Sequence, residues 1–249
     1  MSVNRFLSLL LVFAFIFSLT ACQNNPEIPS PGSETNTQSP GKAETVPPDD
    51  TAEDTTEGAS EDTAEQPSNE NTILVVYFSR TGEQYSVGVI DEGNTAIVAK
   101  MIAEKTGADM FEILPETDYY PYTYKELTDV AKKEQSDKAR PKIKDAIPDL
   151  SGYDTVFIGA PVWWGDWPMI MYTFFEDADL GGKTLVPFST HEGSGLSGFD
   201  RKLASAVPGA DVLAGLAIRG ADCQNKKDEV KTSVEKWIDG LDELPGKEK

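Results

Sequence analysis

Hydroxyls and glycines gather at one junction of this chain, where Ser79-Arg80-Thr81-Gly82 follows an apolar run and Gly93-Asn94-Thr95 opens the next helical pattern. Free backbone N–H groups at a helix mouth, with hydroxyls beside them, attract an anion because the helix dipole favours negative charge there. A phosphate suits such a place. The Gly-Lys-Ser/Thr ending of a P-loop is absent, so hydrolysis of a nucleoside triphosphate has no support. A second stretch, Ala160-Pro161-Val162-Trp163-Trp164-Gly165-Asp166-Trp167-Pro168, sets three tryptophans within five residues just beyond another apolar run. That much indole outside a core calls for something flat to cover it. The third stretch runs Ser189-Thr190-His191-Glu192-Gly193-Ser194-Gly195-Leu196-Ser197-Gly198, and its last three glycines fall in the order G-x-G-x-x-G. A dinucleotide fingerprint belongs to the first strand-helix turn and wants an acid ending the next strand, where this chain has Ile218-Arg219. That reading is rejected. Ser194 and His191 do not make a hydrolase either, because the G-x-S-x-G elbow is missing. His191, the single histidine, remains as a group that titrates near neutrality and either exchanges a proton with a ligand or is held by backbone.

Alternating elements must carry these loops. Residues 72–78 are a continuous β-branched and aromatic run, the pattern of a strand buried on both faces of a parallel sheet. Asn94 is placed to cap the next helix, in which Ile97, Met101 and Ile102 recur at helical spacing until Gly107 stops it. Further strands are expected over 109–114, 155–160, 183–189 and 210–218, and further helices over 122–138, 169–175, 199–207 and 227–241. The last helix would show Val230, Val234, Trp237 and Leu241 on one stripe. Five strands alternating with five helices require a parallel sheet covered on both faces by right-handed crossovers. Ligands of such folds sit beyond the carboxyl ends of the strands, which is where the three loops fall.

The chain resembles the flavodoxins. The likeness rests on Tyr77-Phe78-Ser79-Arg80-Thr81-Gly82, on Pro161-Val162-Trp163-Trp164-Gly165 and on the glycine-rich third loop, in that order along residues 72–240. It departs from the ordinary family pattern in carrying residues 83–92 as an insertion within the first loop. What the resemblance implies is an α/β, doubly wound, five-stranded parallel sheet in the order 2-1-3-4-5, with FMN bound non-covalently for electron transfer. Ser79, Thr81, Asn94 and Thr95 would meet its phosphate, with Arg80 and Gly82 of the same loop also binding the cofactor. Pro161, Val162, Trp163, Trp164 and Gly165 would line its ring, with Trp167 left to the core, and Thr190, His191, Glu192 and Gly193 would border its pyrimidine edge. Two other functions stay open: an FMN enzyme that takes electrons directly from NAD(P)H to a quinone or other small acceptor, and a surface binding module without cofactor.

Before this domain lie two segments of other kinds. Residues 1–22 hold one charge, Arg5, then an apolar run over 6–17 that is too short to span a membrane, and end Leu19-Thr20-Ala21-Cys22. They read as an export signal, and the final tetrapeptide resembles a bacterial lipobox, which implies lipidation of Cys22 and an extracytoplasmic, membrane-anchored protein. Residues 23–70 are rich in Pro, Ser, Thr and acids and are expected to form a disordered tether, with twelve acids against one lysine. Of the formal net charge of −20, half remains on residues 71–249. Such a surface disfavours nucleic acid, would make a bound flavin harder to reduce, and would help the domain dock on basic redox partner proteins. With Cys22 lipidated, Cys223 has no disulfide partner and is expected to be a small buried residue.

Overall fold

The computed structural model describes residues 72–241 and Leu244, so the expected signal, Cys22 and the tether lie outside the described residues. Strand β1 (Ile73–Tyr77) is buried throughout because its alternate side chains enter two cores. Ile73, Val75 and Tyr77 point into one; Leu74 and Val76 point into the other. The first core is closed by α1 (Asn94–Thr106) and α6 (Lys227–Asp239), which bring Ile102 and Val234. The second is closed by α3 (Met169–Asp177) and α4 (Phe199–Ala206), which bring Ile170, Phe174 and Leu203. Each such side chain contributes about 1.5–3 kcal/mol by leaving water.

The remaining parallel strands are β4 (Asp109–Glu112), β5 (Thr155–Pro161), β6 (Thr184–His191), β7 (Asp211–Val212) and β8 (Leu216–Arg219). Their order is β4-β1-β5-β6, with β7 and β8 both pairing with the far side of β6. This is the expected doubly wound order 2-1-3-4-5, helices on both faces. Gly159 of β5 makes room for its partner across the sheet, since a Cβ there would stand 2.0 Å from the ring of Phe188 on β6.

Several expectations need correction. The fifth strand is broken: Leu185 pairs with Val212 and Phe188 with Leu216, so three residues of the edge strand stand opposite two of β6. Pro187 lies at that point and has no N–H for the ladder, and Gly215 presses against its carbonyl. The expected stripe of Val230, Val234, Trp237 and Leu241 does face the first core, Trp237 edge-on to Phe157 with its Nε1 donating to the Ala214 carbonyl at 3.0 Å, but Ile238 joins it and Leu241 lies beyond the end of α6. Residues 83–92 are not plain loop but carry a hairpin, β2 (Gly82–Gln84) paired antiparallel with β3 (Gly88–Ile90). A short helix, α5 (Gly220–Asn225), precedes α6. The polar helix expected over 122–138 is α2 (Tyr124–Asp137), which packs beside α3 and the hairpin. Among the described residues no helix is long and apolar enough to cross a membrane.

Candidate functional site

Helix α1 begins against the end of β1. Gly93, not Asn94, is its N-cap residue, and the cap is supplied from the strand side: Ser79 Oγ accepts the Ala96 N–H at 3.0 Å. Only glycine allows this approach, since a Cβ at position 93 would stand 2.2 Å from Ser79 Oγ and 2.8 Å from the Arg80 carbonyl oxygen. Asn94 instead opens the helix and accepts from Gln224 Nε2 of α5 at 2.8 Å. Thr95 is buried, its hydroxyl 2.8 Å from that of Thr190 at the end of β6. Ser79, Asn94, Thr95 and Thr190 thus border one cleft of about 520 Å³.

Arg80 borders the same cleft, but its guanidinium donates to the carbonyls of Glu83 (2.9 Å), Tyr122 (2.6 Å) and Pro121. Burial lowers its pKa. Glu83 completes the clasp by accepting the Tyr124 N–H at 2.8 Å. The hairpin is therefore fastened to the start of α2. Thr81 and Gly82 do not reach the cleft: Thr81 borders a depression on the other side of the Ser79-Arg80 segment, and Gly82 lies under Tyr122.

The loop after β5 is a tight turn. Trp163 and Asp166 exchange N–H···O bonds at 2.9 Å each, and the two residues between them, Trp164 and Gly165, have φ of +51° and +72°. Trp163 borders the cleft and wedges edge-on against Phe78 and Tyr120, at 5.4 and 5.1 Å between centroids. Trp164 also borders it and is 52% exposed, yet not loose. Its Nε1 donates to the Thr128 carbonyl at 3.0 Å, and the Lys132 ammonium lies 5.0 Å from its ring centre. Lys202 of α4 donates to the Gly165 carbonyl and pairs with Asp166 at 3.1 Å, fixing the turn from below. Trp167 is fully buried, stacked on Phe199 at 3.6 Å.

In the loop after β6, His191 borders the cleft and its Nδ1 accepts the Gly193 N–H at 2.9 Å. That bond requires an unprotonated Nδ1 and leaves the proton of the neutral ring on Nε2. Burial lowers the imidazole pKa, with Glu192 opposing and Arg219 adding to the effect. Glu192 spends its carboxylate on structure, accepting from Arg219 Nε at 2.9 Å and from the Ala221 N–H at 2.6 Å. Gly193 stays outside the cleft, and Ser194 enters it.

A family model for flavodoxin matches residues 72–239. The chain belongs to the flavodoxin family. Among solved structures, a candidate flavoprotein from Bacteroides uniformis is 31% identical with a TM-score of 0.55, over 68% of this chain and 98% of that one. A candidate flavoprotein from Bacteroides eggerthii is 30% identical with a TM-score of 0.53, over 68% of this chain and 96% of that one. A flavoprotein in complex with FMN from Lactobacillus acidophilus is 21% identical with a TM-score of 0.48, over 64% and 99% of the two chains. None of the curated proteins compared matches the chain.

This flavodoxin-family domain gathers twelve of the fifteen expected binding residues at one cleft; Thr81, Gly82 and Gly193 are the three outside it. Sequence reasoning missed the opposite wall. The hairpin turn contributes Tyr85 and Val87, and α2 contributes Tyr124, Leu127 and Ala131. A signal was present in α2, where Leu127 and Ala131 recur at helical spacing on an otherwise polar helix. Cys223 is fully buried, its thiol pushed up to about 12 mainly by desolvation.

Proposed function

We propose that this domain is an FMN-binding electron-transfer protein, carried outside the cytoplasm on a lipid-modified Cys22 and the acidic tether of residues 23–70. One observation carries the cofactor reading. A hydroxyl-lined helix mouth and a half-exposed indole turn open into the same cleft, so a phosphate and a flat ring joined by a short chain would be gripped together.

The residues present fit that group. The Ser79 hydroxyl accepts from Ala96, which leaves its own proton to donate to a phosphate oxygen, and the α1 N-terminus supplies the favourable dipole. Of the paired Thr95 and Thr190 hydroxyls, only one proton can be used between them, so the other is available to a ligand. Trp163 and Trp164 would receive the ring, and the turn that carries them is held by Lys202 and Thr128. Gly165, with positive φ and open space where a side chain would stand, lets peptide atoms approach the ring edge. His191 would stay neutral beside it, with an Nε2 proton to donate. FMN, when bound, supplies reversible transfer of one or two electrons.

The carrier is favoured over an enzyme that takes hydride from NAD(P)H. Among the described residues Arg80 is the single lysine or arginine lining the cleft, and its guanidinium is occupied by three carbonyls, so it has little to offer a dinucleotide's phosphates. The negative surface suits brief docking on a basic protein. Mixing the FMN-loaded full chain with NADPH and no added reductase tests this: slow oxidation supports the carrier, and rapid turnover replaces it with the enzyme. The tether is tested by fractionating cells that express the full chain or Cys22→Ala. Loss of the protein from the membrane fraction in the variant supports the anchor, and unchanged fractionation removes it.

A further inference from the structure

Asn94 borders the cleft at the first turn of α1, and the end of its amide that faces a ligand decides whether it attracts or repels an anion. Gln224 of α5 makes that choice. Its Nε2 lies 2.9 Å from the Glu92 carbonyl oxygen and 2.8 Å from Asn94 Oδ1. A backbone carbonyl can only accept, so the Gln224 atom facing it must be the NH2 group, and the two protons of that group go one to each oxygen. Asn94 Oδ1 is thereby occupied. Nδ2 is left as the outward end, with no hydrogen-bond partner among the described residues.

The pieces that hold this relay are themselves fixed. The Glu92 carboxylate is turned to Lys100 and Lys227, at 2.7 and 3.6 Å, so it is the main-chain oxygen that meets Gln224. Helix α5 is pinned at both ends of its short length: the Ala221 N–H donates to Glu192 Oε1 at 2.6 Å, and Cys223 sits in the first core. Gly220 leaves room for the amide, since a Cβ there would stand 2.5 Å from Asn94 Nδ2. Gly220 also borders the cleft, so the Asn94 nitrogen lies beside a second residue of its lining, whereas Gln224 does not reach it. With the Arg80 guanidinium held by three carbonyls, a phosphate would depend on neutral donors, and the direction of each one counts. Resting on the FMN reading, we propose that Gln224 is a positioning residue for phosphate recognition: clamped by the Glu92 carbonyl, it holds Asn94 Oδ1 and so presents the Asn94 amide nitrogen to the phosphate end of the cofactor.

The test compares FMN with riboflavin, which lacks the phosphate, by fluorescence titration of the full chain and its variants. Gln224→Glu keeps the shape but sets a carboxylate against two oxygens, so Asn94 must turn its nitrogen to position 224 and its oxygen to the ligand. FMN affinity is expected to fall about tenfold, with riboflavin affinity within about twofold of wild type. Gln224→Met removes the hydrogen bonds without adding charge and should cost FMN about threefold. Adding Gln224→Glu to Asn94→Ala should lower FMN affinity no further. Matching circular dichroism and retained riboflavin binding would show that the variants fold. An unchanged ratio of FMN to riboflavin affinity in Gln224→Glu overturns the proposal. Equal loss of both ligands does so too, as a merely structural role would produce it, and so does a tenfold loss that persists in the Asn94→Ala background, which would be plain charge repulsion. Wild type that binds neither flavin removes the cofactor reading and this proposal with it; wild type that binds FMN while both Gln224 variants match it removes the proposal alone.

Discussion

Glu134 sets burial against charge. Helix α2 turns its side chain inward to 3% exposure; Oε2 lies 3.5 Å from the Tyr120 hydroxyl, and Oε1 meets no partner among the described residues. Desolvation pushes the carboxyl from its usual 4.5 to about 7, although the Tyr119 and Tyr120 hydroxyls pull the other way. In the unfolded chain this is an ordinary acid. Between pH 4.5 and 7 the folded form therefore holds more protons, so the stabilisation from this group is complete below 4.5 and drains away as pH rises through 7. A displacement of that size corresponds to about 3 kcal/mol as an upper bound. Glu134→Gln keeps a neutral group of the same shape and should remove this slope. Urea unfolding followed by circular dichroism at pH 5, 6, 7 and 8 would measure it. The variant is expected to match wild type within a constant offset at pH 5 and to gain about 1–3 kcal/mol on it by pH 8. The offset covers the amide's own unmet hydrogen bonds, which do not change with pH. Parallel stability profiles across the whole range would refute the reasoning.

Ser79→Ala removes the oxygen that caps Ala96, and urea unfolding should show a loss of about 1 kcal/mol. The same variant should lose much of the preference for FMN over riboflavin in calorimetric titration, because the phosphate is the part of the ligand that the Ser79 hydroxyl would meet. Trp164→Ala truncates a half-exposed ring, so stability should change by less than about 1 kcal/mol while FMN binding weakens about tenfold. Cys223 should resist a disulfide-exchange reagent at pH 8 in the native protein and react once urea unfolds it, in keeping with full burial and a thiol raised to about 12.

The sheet was legible because its inner strands are apolar on both faces. Leu74 and Val76 serve one core while Val75 and Tyr77 serve the other, so β1 reads as an uninterrupted run. Gly107 marked the end of α1 for a local reason, its φ of +72°. The break between β7 and β8 was not legible, because it depends on what Pro187 of a neighbouring strand cannot donate. The hairpin strands are three residues each, too short for an alternation to stand out. At the site, residue type located the three loops, but the state of each side chain depends on partners distant in sequence. Arg80 answers to Pro121 and Tyr122, Glu192 to Arg219 and Ala221, and Asn94 to Gln224. Composition could place these groups at the cleft, but only the fold reveals that Arg80 and Glu192 are already occupied.

If the helix mouth and the indole turn hold one FMN between them, titrating FMN with the purified full chain must change flavin fluorescence. Quenching that saturates at one equivalent, and that weakens in both Ser79→Ala and Trp164→Ala, is the predicted result; fluorescence indifferent to added protein would contradict the claim.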